Sequence, residues 1–353
     1  MNRAIDVKSE SPEERQARAA DLAREGREAE TLGALGNSLE KLTAASDLLP
    51  ENEPSVLRAD VLRWLGTTLR ELGQTTDAES RYEESSALAR DIDYGLGEAH
   101  ALNCLAIIAQ RRGDMEAAQS RYRQAARQAN EAGDHRLAGM VEQNLGVLAN
   151  IQGDLDGALV RYRASLRAFE EGNFEEGMSW VLNNLGMLHT DLGKYDDAEE
   201  QFTRGLDIAR RRKDLHTQAL IESNLGEVYI RFEQWDAAGA CVARALDIAD
   251  ERGDPLRRAD ALKFLGMIQR AQGHLSLADE SLSSANRLAE ESEDALLAAE
   301  VARELGETRA QMGEYAAARE FLERAVQLFR DMNATLDATK AQERMDRIHE
   351  DSE

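Results

Sequence analysis

Apolar positions in this chain fall at helical spacing, and the pattern restarts every forty residues. Between Ser179 and Arg211, Val181, Leu185, Leu188 and Leu192 follow the i, i+4, i+7, i+11 progression that lays one apolar stripe along a helix. Gly193 follows the last of them, and glycine returns in that slot at Gly73, Gly113, Gly153, Gly273 and Gly313. A glycine there suits a left-handed helix terminus, which a side chain with a β-carbon resists. A second helix is predicted to start near Asp196, with Ala198, Phe202, Gly205 and Ala209 on one face. Each unit is thus a pair of helices.

The dipeptide Leu-Gly marks the period at Leu65-Gly66, Leu145-Gly146, Leu185-Gly186, Leu225-Gly226, Leu265-Gly266 and Leu305-Gly306, with Leu105-Ala106 in the remaining slot. Thirteen residues after each Leu stands an alanine, from Ala78 to Ala318, and four further on a bulky residue such as Tyr82, Tyr162 or Phe202. Small residues on facing helices let the backbones approach, and the bulky residue is expected to fill the space between one pair and the next. A fixed period of this size denotes stacked units that bury their faces on one another. Such a stack favours a binding surface over an active site.

The pattern Leu-Gly-x2-aromatic followed by Ala-x3-aromatic resembles the tetratricopeptide repeat. Leu225-Gly226-Glu227-Val228-Tyr229 matches its first half, and Leu185-Gly186 with Gly193-Lys194-Tyr195-Asp196-Asp197-Ala198 and Phe202 matches most of the rest. The resemblance implies an all-α fold, a right-handed alpha-alpha superhelix whose first helices line a concave groove. Two features depart from the family pattern: the period is forty rather than about 34, and the closing proline is missing. Six extra residues add about 9 Å of helix or lengthen the turns. Forty-residue repeats of this kind resemble those of kinesin light chains, Pins-type polarity adaptors and Rap-type peptide-responsive regulators.

The phase extends in both directions. Residues 1–12 are expected to be a disordered N-terminus, 13–53 a degenerate first repeat, 54–333 seven repeats, and 334–353 a C-terminal capping helix and tail. Leu49-Pro50-Glu51-Asn52-Glu53-Pro54 forms the first boundary, and Met345 takes the Leu slot of the cap.

Composition narrows the function. Ala, Leu, Glu and Arg are strong helix formers and only four prolines occur. The net charge of −24 repels phosphate backbones, which argues against nucleic-acid binding. It keeps an exposed array soluble or attracts a basic partner. Cys104 and Cys241 stand apart without a CxxC pair, which fits a reducing, cytoplasmic setting. No apolar run is long enough to cross a membrane, and the start lacks a signal-peptide core. Neither HExxH, P-loop nor GxSxG occurs, so no enzyme, metal or cofactor is expected.

Binding residues follow from the Leu-Gly phase. If that Leu faces the core, positions two before and two after it lie roughly opposite. The candidates at those positions are Arg63, Asn103, Ile107, Gln143, Val147, Asn183, Met187 and Lys263, joined by Met140 and Trp180 a turn earlier and by Arg270 among the flanking charges. Amides donate and accept together, so Asn103, Asn183 and Asn184 are expected to hold the backbone of an extended peptide. Trp180, Met140 and Met187 are expected to hold an apolar side chain. A second row, Asn144, Asn184 and Asn224, precedes Leu-Gly on the flank between adjacent first helices. It bonds either to the neighbouring repeat or to the ligand. Leu182-Asn183-Asn184-Leu185 matches a kinesin-light-chain-like run, which implies peptide contact for both Asn. The Lys and Asn of a co-chaperone carboxylate clamp are not reproduced by Arg63 with Thr67 and Asn103 with Ile107. Trp235, Tyr195 and Tyr315 share one slot and read as packing residues.

The expected function is a cytoplasmic scaffold that captures a protein or peptide segment in the groove. A peptide-responsive sensor of Rap type is the alternative. Self-association into a homo-oligomer is a third reading, through the basic cluster Arg204, Arg210, Arg211 and Arg212.

Overall fold

The computed structural model describes residues 11–292, 294–332 and 334–351. Most of the expected N-terminal tail, residues 1–10, lies outside them, as do 352 and 353. Within the described residues Ser11 caps the first helix. Its Oγ accepts from the Glu14 amide at 3.2 Å while Glu14 accepts from the Ser11 amide at 2.9 Å.

The chain forms two compact units, Met1–Gly177 and Met178–Glu353. The first contains the hairpins α1 (Pro12–Thr31) with α2 (Leu35–Asp47), α3 (Val56–Glu71) with α4 (Thr75–Asp91), α5 (Gly95–Arg111) with α6 (Met115–Glu131), and α7 (His135–Ile151) with α8 (Leu155–Glu171). Helix α9 (Glu175–Asp191) begins at its end and runs into the second unit. There follow α10 (Tyr195–Arg212), α11 (Leu215–Arg231) with α12 (Trp235–Arg252), α13 (Pro255–Ala271) with α14 (Leu275–Glu291), α15 (Ala295–Gln311) with α16 (Tyr315–Asp331), and α17 (Thr335–Asp351).

The six residues beyond the usual repeat length lie in the helices. Most helices have 17 residues, and two or three residues separate most neighbours from α3 onward. From Gly73 to Gly273 a residue with positive φ recurs every twenty positions. Glycine fills most of these slots, but Asp93, Asn173, Lys213 and Glu233 take φ of 55°, 47°, 58° and 57°. The turn at Gly73 illustrates the closure: its amide reaches Arg70 O at 3.0 Å and the Gln74 amide reaches Leu69 O at 2.9 Å. These bonds satisfy carbonyls that the helix end leaves open. In several turns the next residue is an aspartate that caps the following helix, as Asp154 does by accepting from the Gly157 amide at 2.9 Å.

The Leu-Gly dipeptide, where it occurs, is the contact point of its hairpin. A β-carbon on Gly186 would stand 2.5 Å from the Phe202 ring, and one on Gly146 would stand 2.6 Å from Tyr162. Phe202 thus lies over Gly186 of its own hairpin and also joins Ile221 and Leu225 of the next. Leu65, Leu105, Leu145, Leu185, Leu225 and Leu305 are buried, whereas Leu265 is half-buried. Ala106 occupies the exceptional slot, in one core cluster with Tyr122, whose hydroxyl has a different partner from that of Tyr82. The Tyr122 hydroxyl pairs with Gln110 at 3.1 Å, whereas Tyr82, over Gly66, pairs with Thr67 at 3.2 Å.

Within each unit consecutive first helices touch one another, as α3 does α5 and α11 does α13, while the second helices are separated among the described residues. Side-by-side first helices with splayed second helices make the first-helix face the inner one. The longer turn at residues 48–55 separates α2 from α3 and opens a crevice of about 490 Å³ on the second-helix side, floored by Leu65 and Leu69. Leu145 and Ala149 floor a similar crevice beside α7. These crevices are gaps between hairpins.

Candidate functional site

In the first unit, the inner face carries Arg63, Asn103, Ile107, Met140, Gln143, Asn144 and Val147, all on first helices. Asn103 is only 4% exposed, and its Oδ1 accepts from Asn144 Nδ2 at 3.0 Å. Ile107 is partly buried against the core. Arg63 pairs with Asp60 at 2.9 Å, and its guanidinium lies 5.5 Å from the Trp64 ring centre. Arg27 faces the same ring at 5.7 Å. Met140, Gln143 and Val147 are half-buried.

The second unit repeats the amide contact. Asn224 Nδ2 donates to Asn183 Oδ1 at 2.8 Å, and Asn183 Nδ2 points to Met187 Sδ at 3.6 Å. Asn183 is buried, Asn184 and Trp180 are half-buried, and Met187 is 47% exposed. In both amide pairs the acceptor lies two residues before the Leu and the donor one residue before the next repeat's Leu, forty-one positions away.

Three of the sequence candidates, Met187, Asn224 and Lys263, meet in an open pocket of about 270 Å³. Leu220, Glu227, Leu256, Arg257, Asp260, Phe264, Asp294, Leu296, Leu297 and Glu300 complete its wall. Lys263 is buried beneath the wall, with Asp260 at 3.1 Å, Glu300 at 2.7 Å and the Phe264 ring centre at 4.3 Å. Burial alone would lower its ammonium, but the Glu300 and Asp260 carboxylates outweigh that and raise it above the ordinary lysine value.

Arg270 stands apart from the pocket and is consumed by packing. It reaches Glu304 at 2.6 Å, the Glu304 carbonyl at 3.0 Å and Glu307 at 2.8 Å. Glu304 is almost fully buried. Burial would raise its carboxyl, yet Arg270, Arg303 and Arg344 overcome this and hold it at about 2. Arg210 of the basic cluster likewise turns inward, to the buried Glu222 at 2.7 Å, which Arg244 also grips at 2.8 Å.

Asp260 was findable in the sequence, three residues before Lys263 on one helix face. Glu300 was not, because it comes from the next repeat. Tyr195 packs edge-on against Phe232 at 5.8 Å and Trp235 joins the core, but Tyr315 remains 39% exposed. The packing reading of that slot therefore fails at Tyr315. Among the described residues no helix is long and apolar enough to cross a membrane, and no group of three or more His, Cys, Asp or Glu could hold a metal ion.

Comparison with known proteins agrees with the repeat geometry. The family model described as Tetratricopeptide repeat matches residues 57–131, 97–171, 141–211 and 217–291, and a second model of that description matches 304–332. These spans include more than half of the chain. The chain belongs to the tetratricopeptide repeat family. BtubC (BKLC) from P. vanneervenii is 26% identical, with a TM-score of 0.55 over 61% of this chain and 91% of that one. The apo quorum sensor NprR from B. thuringiensis is 15% identical, with a TM-score of 0.68 over 88% and 87%. A Rap protein complexed with Competence and Sporulation Factor is 16% identical, with a TM-score of 0.60 over 97% and 99%. The curated proteins contain no sequence match.

Proposed function

We propose that the chain is a non-enzymatic interaction scaffold that holds an extended segment of a partner protein against its first-helix face. The observation that carries this reading is Met187, a large apolar side chain 47% exposed beside Asn224 and Lys263 in an open pocket. An exposed methionine on a pocket wall offers adaptable apolar contact. Met140, Gln143, Val147, Trp180 and Asn184 supply further contact in this reading. The Asn103–Asn144 and Asn183–Asn224 pairs set the spacing between first helices, while Arg63 is held by Asp60 and Arg270 by Glu304 and Glu307.

A site-specific photocrosslinker tests the reading in the producing cell. Placed at position 187 it should give a covalent adduct with a partner, while at the exposed Val160 on α8 it should not. Adducts from 160 with none from 187 would remove the first-helix face as the binding surface.

Peptide sensing is a second reading, favoured by the likeness of fold to a quorum sensor and to a Rap conjugation gene regulator in complex with the Phr* peptide. Its mark is a change of dimensions on binding, so small-angle scattering with and without the captured segment separates it from a static scaffold.

A further inference from the structure

Two of the most exposed large apolar side chains in the second unit, Met187 at 47% and Leu296 at 50%, line the same pocket. The surrounding charge is unbalanced. Four carboxylates, Glu227, Asp260, Asp294 and Glu300, stand in the lining against two cations, Arg257 and Lys263. Lys263 is already committed to Asp260 and Glu300. Glu227 leans on the exposed Arg231 at 3.1 Å, a contact that water weakens.

Asp191 extends this surface. It lies one turn beyond Met187 on the same face of α9 and has neither a hydrogen bond nor an ion pair among the described residues. Desolvation by the surrounding protein, and then the like charge of Glu227, hold its carboxyl above the ordinary value. Lys340 and Asp337 of α17 act on it in opposite directions. Among the described residues Asp191 therefore has no paired cation and Glu227 has only the exposed Arg231, beside exposed apolar surface, in a chain whose net charge is −24.

We propose that this pocket takes a basic–apolar segment of a partner protein, with an Arg or Lys side chain between Asp191 and Glu227 and a neighbouring aliphatic side chain against Met187 and Leu296. The assignment rests on the scaffold reading above and narrows it to a class of partner. An arginine suits the place because its fork of N–H donors matches a carboxylate and its stem covers apolar surface. An acidic segment would bring like charge to both carboxylates and be rejected.

The test uses the full chain on an immobilised array of short peptides, randomised except for a central pair fixed as Arg-Leu, Lys-Leu, Gln-Leu or Glu-Leu. Retention at Arg-Leu and Lys-Leu should exceed that at Gln-Leu by about tenfold, equivalent to about 1.4 kcal/mol. Asp191→Lys, a change at an exposed position, should move the preference toward Glu-Leu, and Glu227→Gln should shrink it. Equal retention of all four pairs would overturn the basic–apolar assignment while leaving the scaffold reading in place. Absence of retention on every peptide would overturn both. Self-association of the chain that Asp191→Lys abolishes would overturn the assignment in favour of a second copy as occupant.

Discussion

Asn224 donates its side-chain amide to Asn183 Oδ1 at 2.8 Å, clasping α11 to α9 across forty-one residues of sequence. Asn183 is 4% exposed, so its loss would strand a half-buried donor. Asn183→Ala should lower stability by about 1–3 kcal/mol. In urea denaturation the double variant with Asn224→Ala should cost less than the two single changes added together. Strict additivity would mean that the clasp contributes nothing.

Glycine beneath the aromatic knob gives a graded expectation. A β-carbon at Gly186 would meet Phe202 at 2.5 Å, but at Gly226 it would meet Val242 at 3.1 Å. Gly186→Ala should therefore destabilise by about 1–3 kcal/mol, and Gly226→Ala by less. Thermal unfolding of the two variants checks the order, and the reverse order would contradict it.

Buried Glu304 predicts a dependence on acid. Its folded carboxyl is depressed from the ordinary 4.5 to about 2, so the folded state binds a proton less readily than the unfolded chain. The stabilisation is fully present above pH 4.5 and disappears as pH falls through about 2. Glu304→Gln should destabilise the chain at neutral pH and flatten the loss of stability between these values. Urea midpoints measured at a series of acidic pH values report both effects.

Lys213 holds φ at 58°, where a β-carbon is disfavoured, at a turn whose equivalents are often glycine. Lys213→Gly should raise stability by about 0.5–1 kcal/mol. Gly193→Ala, at φ of 69°, should lower it. Calorimetry of both variants would refute the strain argument if the signs came out reversed.

The repeat was legible because its markers are local or nearly so. Leu185-Gly186, Ala198 and Phe202 all belong to one hairpin, and Gly193 reports its own turn. The binding face was harder to read, since it depends on how consecutive first helices cross. That angle places Asn103 opposite Asn144 and Asn183 opposite Asn224, so residues that look free for a ligand already bond to a neighbour. Lys263 is similar: Asp260 lies within its own helix, but Glu300 approaches from α15. Periodicity identifies which face is inner, whereas contacts across about forty residues decide which of its side chains remain available.

The recurrence of a left-handed residue every twenty positions makes length in this chain come in quanta. Excising the forty residues from Asp154 to Gly193 would join two matching turns and bring Phe202 to the spacing from Gly146 that Tyr162 has now, so each remaining Leu-Gly would still face a bulky residue. Excising twenty would turn a first helix into a second one and set the small positions against the wrong neighbours. The molecule can therefore be shortened or lengthened as a ruler is, by whole divisions, and the reach of its inner face changes in the same steps.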